Sequence, residues 1–198
     1  MLNLLITGVL SYLLGSVSFG IIIPRLMGKT RDVRNEWSGN VGATNVMRVH
    51  GLSLGIAVMA ADILKGIISA GIGLWLGGIP LGAFGGACVM LGHCYSVFFR
   101  FKGGRAVATA AGALLMLFPK AILLILPIFL IIIAISHMVS LASVLSAVTL
   151  VVCAFVYGAG WQLAAFCVFA SALVIYKHKP NIERIIAGTE NKVFMKKA

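Results

Sequence analysis

Three short stretches hold most of the polar chemistry in an otherwise apolar chain. The first is SGNVGATN, residues 38–45, followed by Arg48. Gly39 and Gly42 let backbone amides approach an anion closely. Ser38, Asn40, Thr44 and Asn45 add neutral hydrogen-bonding groups. Arg48 adds a fixed charge able to grip a phosphate through two parallel N–H bonds. The second stretch is FKGGR, residues 101–105. Here Gly103 and Gly104 lie between Lys102 and Arg105, just before an apolar run whose helical N-terminus would favour an anion. Neither stretch has the Gly-x-x-x-x-Gly-Lys spacing of a nucleotide P-loop. The third is His178-x-x-Asn181, among Lys177 and Lys179. An imidazole in general titrates near neutrality, which makes a histidine here a candidate general base. Either Gly-rich loop alone could be an ordinary turn. Two of them on one membrane face, joined by His178 and Asn181, point to phosphate binding.

These groups need elements to position them, and the composition says what kind. The chain has 198 residues, 61% of them hydrophobic and 11% charged. A soluble domain of that size has too little interior for so much apolar surface, so an all-α polytopic membrane protein is expected. The net charge of +11 does not indicate nucleic acid, because no soluble basic domain exists to bind it. Cys88, Cys94, Cys153 and Cys167 lie in apolar runs without metal-ligand spacing and read as packing residues; no metal is expected. The N-terminus lacks the basic region of a cleavable signal, so the first apolar run should be retained.

Apolar runs of near-spanning length cover residues 2–26, 52–76, 77–99, 139–157 and 161–176, and a longer one covers 106–137. The longer run reads as two short helices broken near Pro119-Lys120, which makes seven spans. Of 16 basic residues, 14 lie in the loop after the first span, the loop after the third, and the tail. The tail contributes Lys177, Lys179, Arg184, Lys192, Lys196 and Lys197, whereas Lys120 lies on the other side and Lys65 within a span. The positive-inside rule places the N-terminus outside and the C-terminus in the cytoplasm. Four polar groups then share the cytoplasmic boundary: 38–48, 93–105, Ser140 with Ser143, and 178–190. A transporter would concentrate polar residues near the midplane, often within repeated halves. No repeat is evident, and Asp62 with Lys65 is the one charged pair deep in a span. That pair reads as a structural ion pair.

The chain resembles the acyl-phosphate-dependent glycerol-3-phosphate acyltransferases of bacterial inner membranes, which begin phospholipid synthesis. The resemblance rests on LGSVSFG (14–20), SGNVGATNVMR (38–48), DILKG (62–66), LGH (91–93), FKGGRAVAT (101–109), SLAS (140–143), YKHKPNI (176–182) and AGTENK (187–192). It implies seven transmembrane helices in a single domain over residues 1–198. It also implies transfer of a fatty acyl group from acyl phosphate to the 1-hydroxyl of glycerol 3-phosphate, giving lysophosphatidic acid and phosphate without a cofactor. Four positions depart from the family pattern. Trp37 and Ala106 stand where glycines are usual, Ser96 where proline is usual, and Arg105 where lysine is usual. Arg for Lys keeps the charge but changes its geometry and hydration.

The expected roles follow. Ser38, Asn40, Thr44 and Asn45 serve the donor phosphate and the reacting groups. Arg48, Lys102, Arg105, Ser143, His178 and Asn181 hold phosphates or glycerol hydroxyls, with Gly103 and Gly104 lining the substrate. Ser38, Asn45, Arg48 and His178 form the catalytic set. His93 either lines the site or makes a buried hydrogen bond, Ser143 either binds substrate or caps its helix, and Glu190 either orients a cation or is an exposed acid. No Ser-His-Asp or Cys-His arrangement suggests an acyl-enzyme, so direct attack is expected, with the donor phosphate or His178 taking the proton. The competing class is a transporter or channel for a phosphorylated solute or anion. The expected partners are acyl phosphate, glycerol 3-phosphate and membrane lipid, with a monomer as the expected assembly.

Overall fold

A computed structural model describes residues 1–193, so Lys196 and Lys197 of the basic tail lie outside the described residues. Regular structure among the described residues is helical. In chain order the helices are α1 (Leu2–Ser16), α2 (Phe19–Leu26), α3 (Ala43–His50), α4 (Leu52–Cys94), α5 (Val107–Leu117), α6 (Pro119–Ser136), α7 (Val139–Val156), α8 (Trp161–Lys177) and α9 (Lys179–Ile186). Three stretches are long and apolar enough to cross a membrane: Leu52–Phe99, Pro119–Ser136 and Val139–Val156. Treating α1 with α2 and α8 with α9 as bent spans raises the number to five, while α5 is shorter. The chain divides into two compact units, Met1–Pro119 and Lys120 onward.

In the first unit, α1 packs on α4 through small residues. Thr7, Ser11 and Gly15 recur every four positions and are buried. They face Gly85, Val89 and Gly92, where added β-carbons at the glycines would strike the opposing helix. Such close approach is how apolar helices associate when lipid supplies no hydrophobic driving force. α5 meets α4 in the same manner, with Gly66 against Thr109 and Gly112 against Ile63.

The expected break between the second and third apolar runs falls inside α4. Gly77 and Gly78 leave helical geometry there, Gly78 at a φ of 66° that favours glycine. The halves fold back on each other, so that Gly73 meets Leu81 and Gly85 meets Ser69.

The first apolar run differs from the single span expected of residues 2–26. It breaks at Val17-Ser18 and bends by 49°. A break inside an apolar layer exposes carbonyls that need donors. Lys65 Nζ donates to the Gly15 and Val17 carbonyls, each at 3.1 Å, and Ser96 Oγ donates to that of Ser16 at 2.6 Å. Lys65 Nζ also pairs with Asp62 Oδ1 at 2.9 Å, both side chains being buried. The Asp62–Lys65 pair therefore has the structural role read from its spacing.

In the second unit α7 and α8 pack together, with Ser171 Oγ donating to the Ala147 carbonyl at 2.6 Å. α9 turns off α8 by 58°. Pro180 sits in its first turn, where a missing N–H costs nothing. The chain beyond α9 returns to the start of α7, where the Val193 amide donates to the His137 carbonyl at 2.8 Å.

Candidate functional site

The SGNVGATN stretch forms the end of a loop and the first turn of α3. Beneath it, Val33, Val41, Val46 and Val49 pack with Ile21, Leu54 and Val58. Asn45, only 1% exposed, organises the loop. Its Nδ2 donates to the Val33 carbonyl at 2.7 Å and the Glu36 carbonyl at 3.2 Å. Its Oδ1 accepts from the Ser38 amide at 3.3 Å. The Asn45 side chain thus shapes the loop. The hydroxyls of Ser38 and Thr44 and the Asn40 amide make no side-chain hydrogen bond among the described residues.

Two ion pairs brace the outer edge of the loop. Arg31 NH2 lies 2.8 Å from Glu36 Oε1, and Arg34 NH2 lies 2.6 Å from Asp32 Oδ2. Hydrogen bonding from the Arg34 guanidinium holds the Asp32 carboxyl down at about 2. Trp37 adopts a φ of 51°, in the region that favours glycine. Its ring lies under the Arg48 guanidinium, 5.9 Å from the ring centre.

The FKGGR stretch is built on His93. The Gly104 amide donates to the His93 carbonyl at 3.0 Å. A β-carbon on Gly103 would run into that carbonyl, and one on Gly104 into His93 Nε2. The glycines are needed because the loop backbone lies directly on the histidine. His93 is 8% exposed, and its Nδ1 lies 3.5 Å from Asp62 Oδ1. His93 thus lies directly behind the loop backbone. Arg100, Phe101 and Ala106 all have left-handed backbone, with φ of 54°, 58° and 57°. Lys102 is exposed and makes no ion pair among the described residues.

The second unit gathers its polar residues around a carboxylate. Glu190 is 7% exposed. Its Oε1 accepts from Ser140 Oγ at 2.8 Å and from Asn181 Nδ2 at 2.6 Å. Its Oε2 accepts from Arg184 Nε at 2.7 Å. Asn181 Oδ1 and one terminal nitrogen of Arg184 remain buried without a hydrogen-bond partner among the described residues. Ser143 Oγ donates to the Val139 carbonyl of its own helix at 2.8 Å, four residues back. His178 Nδ1 donates to the Val174 carbonyl at 2.7 Å.

Of the two alternatives for Glu190, the structure shows the one in which it orients a cation, Arg184; sequence reasoning missed the parts of Ser140 and Arg184 and the Trp37–Arg48 stack. An acid four residues past the end of α9 gives no signal of burial. The left-handed position of Trp37 was signalled only by the glycine usual there. No group of three or more His, Cys, Asp or Glu among the described residues is arranged to hold a metal ion.

The long apolar helices define an integral membrane protein. The family described as glycerol-3-phosphate acyltransferase matches residues 5–188, and the chain belongs to that family. The enzyme of that name from Trichlorobacter lovleyi is 42% identical over 183 residues, covering 92% of this chain and 93% of its own. That from Desulforudis audaxviator is 38% identical, covering 95% and 94%. Two solved structures are also similar, both of PlsY (YgiH), described as an integral membrane glycerol 3-phosphate acyltransferase. The glycerol 3-phosphate form has a TM-score of 0.91 at 40% identity, covering 96% of this chain and 94% of that one. The lysophosphatidic acid form has a TM-score of 0.89 at 39% identity, with the same coverage.

Proposed function

We propose that this glycerol-3-phosphate acyltransferase takes its acyl group from acyl phosphate and attaches it to the 1-hydroxyl of sn-glycerol 3-phosphate. The glycerol oxygen attacks the acyl carbon, the bond from that carbon to the phosphate oxygen breaks, and lysophosphatidic acid and inorganic phosphate leave. The observation that carries the reading is the division of labour in the first loop. Buried Asn45 holds the backbone, while Ser38, Thr44 and Asn40 keep their polar groups uncommitted around a glycine-rich turn. Such preorganisation suits a dianion, because no reordering is needed when charge develops.

Ser38, Asn40 and Thr44 serve the donor phosphate and the reacting carbonyl. Arg48, Lys102 and Arg105 offset the charge of two mutually repelling phosphates, with the Gly103-Gly104 backbone alongside. In the second unit, Asn181 Oδ1 is a buried acceptor in need of a donor, and a glycerol hydroxyl supplies one. Ser143, whose proton is held by Val139, is left to accept. The hydroxyl proton goes to the leaving phosphate or to His178. Phosphate is already a good leaving group, so no general acid is required.

The chain acts as one monomeric domain over residues 1–198 in the bacterial inner membrane, with seven spans. The N-terminus lies outside and the polar loops in the cytoplasm. The fold-back within α4 and the short α5 support this count. Exposed Trp75 and Trp161 flank the turns assigned to the outer face, where aromatic side chains favour the interface.

The test is turnover by purified protein in detergent with palmitoyl phosphate and glycerol 3-phosphate. Phosphate and lysophosphatidic acid should appear without any gradient. Comparable turnover with palmitoyl-CoA would overturn the donor assignment. For topology, single cysteines at positions 41 and 192 should resist labelling from outside intact cells, and labelling of either would overturn the orientation.

A further inference from the structure

We infer that Trp37 is a positioning residue for phosphate binding: its indole fixes the plane of the Arg48 guanidinium. The inference rests on Arg48 being a phosphate ligand. Trp37 occupies the first corner of a turn closed by the Gly39 amide donating to the Glu36 carbonyl at 2.9 Å. Its φ of 51° is unfavourable for a bulky side chain. A strained backbone persists only where its surroundings over-determine it. Three anchors do so here. The turn itself is hydrogen-bonded, and Glu36 is tied to Arg31. The ring packs against the buried valine cluster under the loop. Its face also meets the Arg48 guanidinium, 5.9 Å from the ring centre and within range of a cation–π attraction.

That arrangement has a directional consequence. A guanidinium carries its N–H donors in its plane, whereas an aromatic ring engages its face. Stacking on Trp37 therefore restricts the rotation of Arg48 by engaging the guanidinium face and not the edge that carries its donors. Arg48 lies near the end of the eight-residue α3. The left-handed corner is what directs the indole toward Arg48. The same strain that disfavours tryptophan in isolation places its ring where the ligand-binding cation needs a platform.

The two effects separate by experiment. Trp37→Gly relieves the backbone, so the detergent melting temperature should hold or rise. KM should rise roughly 2- to 30-fold for whichever phosphate substrate Arg48→Ala weakens, the span expected for losing one cation–π contact. The kcat value should change less. Trp37→Phe keeps a ring and should fall between wild type and Trp37→Gly. Trp37→Leu keeps apolar cover without a π face and should match Trp37→Gly in KM. In an Arg48→Ala background, Trp37→Gly should add no further rise. The inference is overturned if Trp37→Gly or Trp37→Leu keeps the wild-type KM, or if the KM rise persists without Arg48. If Arg48→Ala leaves both KM values unchanged, the phosphate role of Arg48 fails and this inference fails with it. If Arg48→Ala raises KM but the Trp37 variants do not, only the inference fails.

Discussion

Asn45→Ala removes the side chain that ties the first loop together. Three hydrogen bonds vanish: a buried one to the Val33 carbonyl at 2.7 Å, and two longer ones involving Glu36 and Ser38 at 3.2 and 3.3 Å. A typical intramolecular bond contributes about 0.5–1.5 kcal/mol net, and leaving a buried partner unsatisfied costs more. Weighting the short bond fully and the long ones lightly gives about 2–3 kcal/mol for the ordered loop. That lowers the ordered population relative to its alternatives by roughly 30- to 150-fold. The catalytic efficiency kcat/KM should therefore drop by about two orders of magnitude. The melting temperature should move little, because helix packing rather than this loop holds the spans. Asn45→Asp should be no better than Asn45→Ala. It keeps an acceptor for the Ser38 amide but turns a carboxylate toward the Val33 and Glu36 carbonyls. The assay is phosphate release by purified protein, paired with amide hydrogen exchange over residues 33–45. Near-normal kcat/KM alongside faster exchange would refute the link between loop order and catalysis. Unchanged exchange would refute the bracing role itself.

Gly104→Ala should lower kcat/KM for a phosphate substrate at least tenfold, because its β-carbon collides with buried His93 and displaces the loop; steady-state kinetics at matched melting temperature check it. Lys65→Met should cut detergent-phase stability by about 3–5 kcal/mol, since it strands the Asp62 carboxylate and uncovers the α1 carbonyls. Adding Asp62→Asn should recover part of that loss, as read by thermal melting. The Asp32–Arg34 pair should stabilise its loop only slightly, by about 0–1 kcal/mol for a solvent-facing pair. The folded Asp32 carboxyl lies near 2 against an ordinary 3.8, so its contribution is present above pH 4 and fades as pH falls toward 2. Hydrogen exchange over residues 28–36 should show that loss, and Asp32→Asn should abolish its pH dependence.

Much of this protein was legible in the chain as a string. Apolar runs and Gly/Pro breaks located the long apolar helices but not the short polar α3 and α9; the breaks at Gly77-Gly78 and Pro119 were legible because helix length and backbone geometry are local properties. The Gly-rich loops stood out for the same reason, as did the Asp62–Lys65 pair, whose i,i+3 spacing puts both charges on one helix face. The bend at Val17-Ser18 was not legible. Its freed carbonyls are satisfied by Lys65 and Ser96, which lie 48 and 80 residues away along the chain. Nor was the division of roles within the site. Asn45 and Ser38 are equally polar in sequence, yet only packing decides that one faces inward to brace the loop and the other keeps its hydroxyl uncommitted. Glu190 makes the same point most sharply. As a letter near the C-terminus it is an ordinary acid, and only the return of the tail to Ser140, Asn181 and Arg184 makes it a buried carboxyl group with three donors. Residue type and spacing determine which chemistry is present. Which groups are spent on structure and which remain for substrate depends on partners distant in sequence, and that is decided only in three dimensions.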